Sequence, residues 1–108
     1  MILTLLKGYP DLIGRRQAMV GYGSGPASYS QTTGDVISIP GYERYIDSVL
    51  SISQDPTGTY IGQARPSAVG ARATWSIHWY VVATGVEVAN GVNLSAYNLQ
   101  IPLFTGEC

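Results

Sequence analysis

Between positions 75 and 81 the chain reads Trp-Ser-Ile-His-Trp-Tyr-Val. In an extended strand successive side chains project to opposite faces, so Trp75, Ile77, Trp79 and Val81 share one face and Ser76, His78 and Tyr80 the other. One face carries two indoles and two branched aliphatics, and such a surface must be covered by something equally apolar. A helix would scatter these residues around its axis. The nearest approach to a helical pattern elsewhere, residues 42–50, lacks a cap and carries β-branched and aromatic residues suited to a strand.

The same period of two recurs along the chain, broken by Gly, Pro, Ser and Asn clusters every ~8–12 residues, the pattern of an all-β sandwich or barrel. Residues 1–7 read as an extended apolar stretch, and residues 12–16 as a lead-in to a strand over 17–22. Further strands are expected at 35–39, 43–53, 59–65, 73–83, 86–89 and 97–104. Loops or turns fall at 8–11, 23–34, 40–41, 54–58 and 66–72. Thr84-Gly85 reads as a tight hairpin turn, and Asn90-Gly91 as a second turn. Pro102 implies an edge or a bulge in the last strand. The prediction is an antiparallel β-sandwich of about seven or eight strands, immunoglobulin-like or related, with Trp75 and Trp79 as core anchors. At 108 residues it is one domain. Residues 1–16 form an extended N-terminal arm and residues 17–108 the sandwich.

Composition excludes several function classes. Charged residues are 12% of the chain, about half the ~25% of an ordinary soluble domain, while hydrophobic residues are 45%. A net charge of −1 argues against a general nucleic-acid binder, which needs a basic field to neutralise phosphates. The hydrophobic content argues against disorder. No apolar run approaches the ~20 residues that cross a bilayer as a helix, and no signal peptide is recognisable, so a chain made and used without secretion is expected. The single cysteine, Cys108, allows no internal disulfide and reads as an incidental thiol.

The chemical candidates are few. His78 is the sole histidine, with Ser76 on the same strand face, but no orienting acid or oxyanion hole is in view, so a solvated or interface-facing imidazole is expected. Gly21-Tyr22-Gly23-Ser24-Gly25 has the wrong spacing for a dinucleotide fingerprint, is followed at once by Pro26, and reads as a flexible turn. The carboxylates are scattered. Glu43 and Asp47 would lie ~13 Å apart on a strand, too far for a glycosidase pair. Asp35 and Asp55 read as turn residues. No cofactor, metal or small-molecule substrate is expected, nor enzymatic activity.

Binding residues are easier to nominate. Arg15 and Arg16, with Lys7 nearby, are the only basic cluster: a solvated strand start on one reading, an arm that docks on an acidic partner on the other. Eight tyrosines stand beside one phenylalanine. Strand alternation cannot bury them all, and tyrosine suits interfaces because it covers apolar area while its hydroxyl finds a partner. Tyr29, Tyr42 and Tyr80 are the interface candidates.

The run Thr33-Gly34-Asp35-Val36-Ile37-Ser38-Ile39-Pro40-Gly41-Tyr42-Glu43-Arg44-Tyr45-Ile46-Asp47 resembles part of a family of small uncharacterised proteins of tailed bacteriophages. So does the run from Ala73-Thr74-Trp75 through Trp79-Tyr80-Val81-Val82-Ala83-Thr84-Gly85, continuing to Asn93-Leu94-Ser95-Ala96. The likeness spans roughly residues 17–104. It implies a virion structural protein, made in the bacterial cytoplasm and carried on the capsid exterior. The foremost form is a head decoration, or cement, protein that binds the major capsid protein as a homo-oligomer, without nucleic-acid or membrane partners. The alternatives are a carbohydrate- or host-surface-binding β-sandwich module, or a tail or connector component.

Overall fold

The computed structural model describes residues 1–5, 11–13, 16–38, 46–67 and 74–106. They are all-β, with no helix among them, and form eight strands: β1 (Thr4–Leu5), β2 (Asp11–Ile13), β3 (Arg16–Ser24), β4 (Asp35–Val36), β5 (Ile46–Ser51), β6 (Tyr60–Pro66), β7 (Trp75–Val81) and β8 (Asn98–Gly106). The larger sheet runs β1-β3-β8-β5, with β2 paired to β3, and the smaller runs β4-β7-β6. All strand pairings are antiparallel.

Single bridges join the two sheets at both margins. Ile2 pairs with Ser38 just past β4, and Gln54 pairs with Ile61 of β6. Leu3 N–H donates to Ser38 O and Ser38 N–H to Met1 O, each at 2.8 Å. The described part of the segment expected as an arm is therefore built into the fold, with Met1 and Leu3 in the core. The lead-in expected at 12–16 instead opens a hairpin, in which Ile13 pairs with Arg16 and Asp11 with Ala18.

The Trp-rich strand behaves as its alternation requires. Ile77 and Trp79 are fully buried, and Trp75 and Val81 pack against the core from partly buried positions. Leu99 and Ile101 of β8 face them from the larger sheet, with Leu94 closing one end. Tyr60 meets Trp79 edge-on at 6.1 Å and Tyr97 at 4.7 Å, the geometry aromatic quadrupoles prefer.

Three features differ from expectation for identifiable reasons. Gly21 and Gly23 belong to β3 and, with Gly25, turn a buried side inward, so the glycine run is not a flexible turn. A Cβ on Gly25 would lie 2.5 Å from Leu94 Cβ and 2.9 Å from Trp79 Cζ2; close approach, not flexibility, demands glycine. Asp35 starts β4 and is buried rather than sitting in a turn, whereas Asp55 does organise one. Burial alone would raise the Asp55 carboxyl, but hydrogen bonds from the Thr57 hydroxyl and from backbone amides, including Tyr60 N–H at 2.6 Å, hold it below its ordinary value. Finally, Pro102 is in an interior strand. Met19 pairs with Phe104 and Gly21 with Ile101, so β8 places Pro102 and Leu103 opposite one residue of β3. Proline has no N–H for the ladder, and this bulge accommodates it.

Candidate functional site

The side of β7 opposite Trp79 carries the residues with chemical capacity, and loops decide which of them meet solvent. His78 is 6% exposed, which overturns the expectation of a solvated or interface-facing imidazole. Two segments bury it. The return after the Thr84-Gly85 turn runs back along β7, with Val81 N–H donating to Val86 O and Val88 N–H to Trp79 O, each at 2.9 Å. It forms a single bridge, Tyr80 with Glu87, instead of the regular strand expected at 86–89. From the other side Gly34, with φ of +66°, lies against the ring: a Cβ there would sit 2.8 Å from His78 Nε2.

Glu87 is carried on that return and bridges three elements. Its Oε2 lies 2.8 Å from His78 Nδ1 and accepts the Tyr29 hydroxyl at 2.7 Å. The Tyr29 oxygen in turn accepts Trp79 N–H at 3.0 Å, capping a β7 amide beyond the reach of β4. Tyr29, nominated for an interface, is 1% exposed and belongs to the core. The correction has a simple cause: its hydroxyl finds its polar partners inside the fold. Burial, and then the bond to Glu87, push the Tyr29 phenol above its ordinary value. Burial alone would raise the Glu87 carboxyl, but the hydrogen bonds from His78 and Tyr29, with the nearby His78 and Arg65 charges, hold it below its ordinary value.

This chain of groups clamps the hairpin to the sheet. Among the described residues the imidazole bonds to Glu87 and not to Ser76. A carboxyl held low in the folded state stabilises fully above its unfolded value, ~4.3 for Glu, and that contribution is lost as pH falls through the folded value. Glu87→Gln is therefore expected to be less stable than the wild type at neutral pH, by a margin that shrinks on acidification. Urea titrations across an acid pH series measure it; a margin constant with pH would show that the carboxylate charge is irrelevant.

Tyr80 and Arg65 occupy the outer side of β7 and β6. The Tyr80 hydroxyl accepts a hydrogen bond from Arg65 Nη2 and lies 3.3 Å from Gln63 Oε1, and the guanidinium carbon is 5.9 Å from the ring centre. Beside them runs a shallow groove of about 520 Å³ whose lining includes Ile61, Gln63, Tyr80 and Gln54. Tyr80 is half-buried and is among the residues of that lining.

A second surface lies on the larger sheet. Tyr22 pairs with Gln100, Ser24 with Asn98 and Thr4 with Tyr22, and all of these are exposed while Gly21, Gly23, Leu99 and Ile101 between them are buried. Ile2 (67% exposed) continues this face, with exposed Ser38 bridged to it and Val36 (46% exposed) on neighbouring β4. None of these side chains is charged. The alternation of β3 and β8 could have revealed the patch, had the pairing of these two distant strands been legible.

Of the remaining nominated residues, Arg16 opens β3, and Lys7, Arg15 and Tyr42 lie outside the described residues, as does Cys108. No group of three or more metal-ligating side chains occurs among the described residues. No helix there is long and apolar enough to cross a membrane. No family model, curated protein or solved structure matches this chain.

Proposed function

We propose that the chain is a tailed-bacteriophage virion structural protein, a capsid decoration or cement protein that binds the outside of the major-capsid-protein lattice. On this reading its two sheets make an immunoglobulin-like or related β-sandwich, and copies associate with one another on the shell. The observation that carries the proposal is a patch of uncharged side chains on the larger sheet, where Ile2, Thr4, Tyr22, Ser24, Asn98 and Gln100 are all exposed. Such a face is inexpensive to desolvate, because no charge has to be stripped of water. Tyrosine and amide side chains supply contact area and adaptable hydrogen bonds. A chain with 12% charged residues also fits a surface that is covered in its working state. Repetition over a shell supplies avidity, so individual contacts of ordinary size suffice.

The test mixes purified protein with capsids that lack it, followed by sedimentation and heating. The protein is expected to sediment with the capsids and raise the temperature at which they release DNA. Tyr22→Glu is expected to weaken binding ~30-fold or more, since an unpaired carboxylate buried at an interface costs ~2 kcal/mol or more. The variant's own melting temperature stays near the wild-type value because the side chain is 42% exposed. Protein that leaves capsids unbound and unprotected, or that tracks with tails when virions are dissociated, defeats the reading.

A further inference from the structure

We infer that the groove on the outer side of β6 and β7 is a binding site for a neutral oligosaccharide. Its working surface is Gln54, Ile61, Gln63, Tyr80, Val82 and Gly85, and its volume of about 520 Å³ lies within the ~300–1,000 Å³ of small-molecule sites. Among the described residues no charged side chain lines it. A phosphorylated or carboxylated ligand would find no counter-charge on the floor, and Arg65 at the margin is already engaged with Tyr80 and Gln63.

What the groove offers matches a polyhydroxylated chain. A primary amide presents a donor and an acceptor side by side, as neighbouring sugar hydroxyls require. Gln63 uses Oε1 towards Arg65 Nε (3.2 Å) and the Tyr80 hydroxyl (3.3 Å), while its Nε2 bonds to no other described residue. The Gln54 side-chain amide makes no hydrogen bond to any described residue. Tyr80 adds an aromatic residue to the lining, held in position by Arg65 and Gln63. The shallowness of the groove suits a chain lying across it better than a single enclosed ring.

The wall is pre-formed. Val82 and Gly85 sit on the hairpin whose return is fastened to the sheet by Glu87, His78 and Tyr29, so little ordering cost accompanies binding. The site does not rest on the capsid reading, since that reading uses β1, β3 and β8.

The experiment titrates the full chain with neutral hexose, N-acetylhexosamine and deoxyhexose oligomers, with oligogalacturonate as the acidic comparison, following backbone amide shifts. At least one neutral oligomer is expected to shift amides around Gln54, Ile61, Gln63 and Val82, with an affinity indifferent to added salt. The double substitution Gln54→Ala, Gln63→Ala is expected to weaken that affinity ~10-fold or more, about 1.4 kcal/mol, while the melting temperature and capsid binding stay unchanged. Silence from every neutral oligomer overturns the inference. So does salt-sensitive binding of the acidic oligomer alone, or neutral binding that the double variant leaves intact.

Discussion

Trp79→Ala is expected to cost about 3–5 kcal/mol of folding stability, the range for removing a large aromatic from a packed core. Trp79 is the largest fully buried side chain among the described residues, and its neighbours come from both sheets. It receives the edge of Tyr60, and its ring edge passes so close to Gly25 that no side chain fits there. Its Nε1–H donates to Asp35 Oδ2 at 3.1 Å. Alanine leaves a void that these neighbours cannot fill without losing their own contacts, and it orphans one side of a buried carboxylate. Small domains are stable by ~5–15 kcal/mol, so the variant stands near the edge of folding. Equilibrium urea unfolding measures the loss, and a change below ~1 kcal/mol would contradict the placement of this indole. Trp79→Phe retains most of the bulk and is expected to fall between.

Asp35→Ala has a comparable expected effect by a different route. The carboxylate is buried, pairs with the Met1 ammonium through Oδ1 and accepts the Trp79 indole N–H through Oδ2. The same ammonium also donates to Val36 O. Removing one partner of a buried ion pair leaves the other uncompensated, which typically costs ~3–5 kcal/mol. Asp35→Asn keeps an acceptor for the indole and loses only the charge, so a smaller penalty is expected. Because Trp79 and Asp35 touch, Trp79→Phe combined with Asp35→Ala is expected to fall short of the sum of the two losses by ~0.5–3 kcal/mol. A double-mutant cycle in urea provides the measure, and strict additivity would mean that the indole and the carboxylate do not interact.

These two residues also mark what the sequence could and could not disclose. The inward face of β7 was legible because alternation is a local property, and Trp75, Ile77, Trp79 and Val81 all point towards the core as it requires. The same alternation sends His78 to the outer side, and that too is correct. Alternation carries no information about what covers an outer side, however, and the 29–34 and 84–91 segments close over His78. The burial of Tyr29 is hidden from the sequence for the same reason. Flanking a loop suggested exposure, but the hydroxyl is satisfied by Glu87 and a β7 amide, contacts that join positions far apart in the chain. Asp35 carried no local signal of burial, since its partners are Met1 and Trp79. The patch of uncharged side chains on the larger sheet has no local signature, because it depends on the pairing of β3 with β8. Pro102 was informative only as a choice between edge and bulge, and strand order decided for the bulge.

The order of strands in the larger sheet has a consequence for how the chain is made. β3 pairs with β1 and β2 as well as β8, and Gln17 pairs with Gly106, so an early strand takes one of its three partner strands from the final described segment. Pairings between distant segments carry a loop-closure cost before any contact compensates for it, which slows folding. The larger sheet cannot be completed while β8 is still inside the ribosome, and until then β3 lacks one neighbour. The smaller sheet, in which β6 and β7 are close in sequence, is free to form first. Synthesis thus leaves an unfinished sheet edge waiting for its last strand, an interval in which such edges are vulnerable to pairing with other chains.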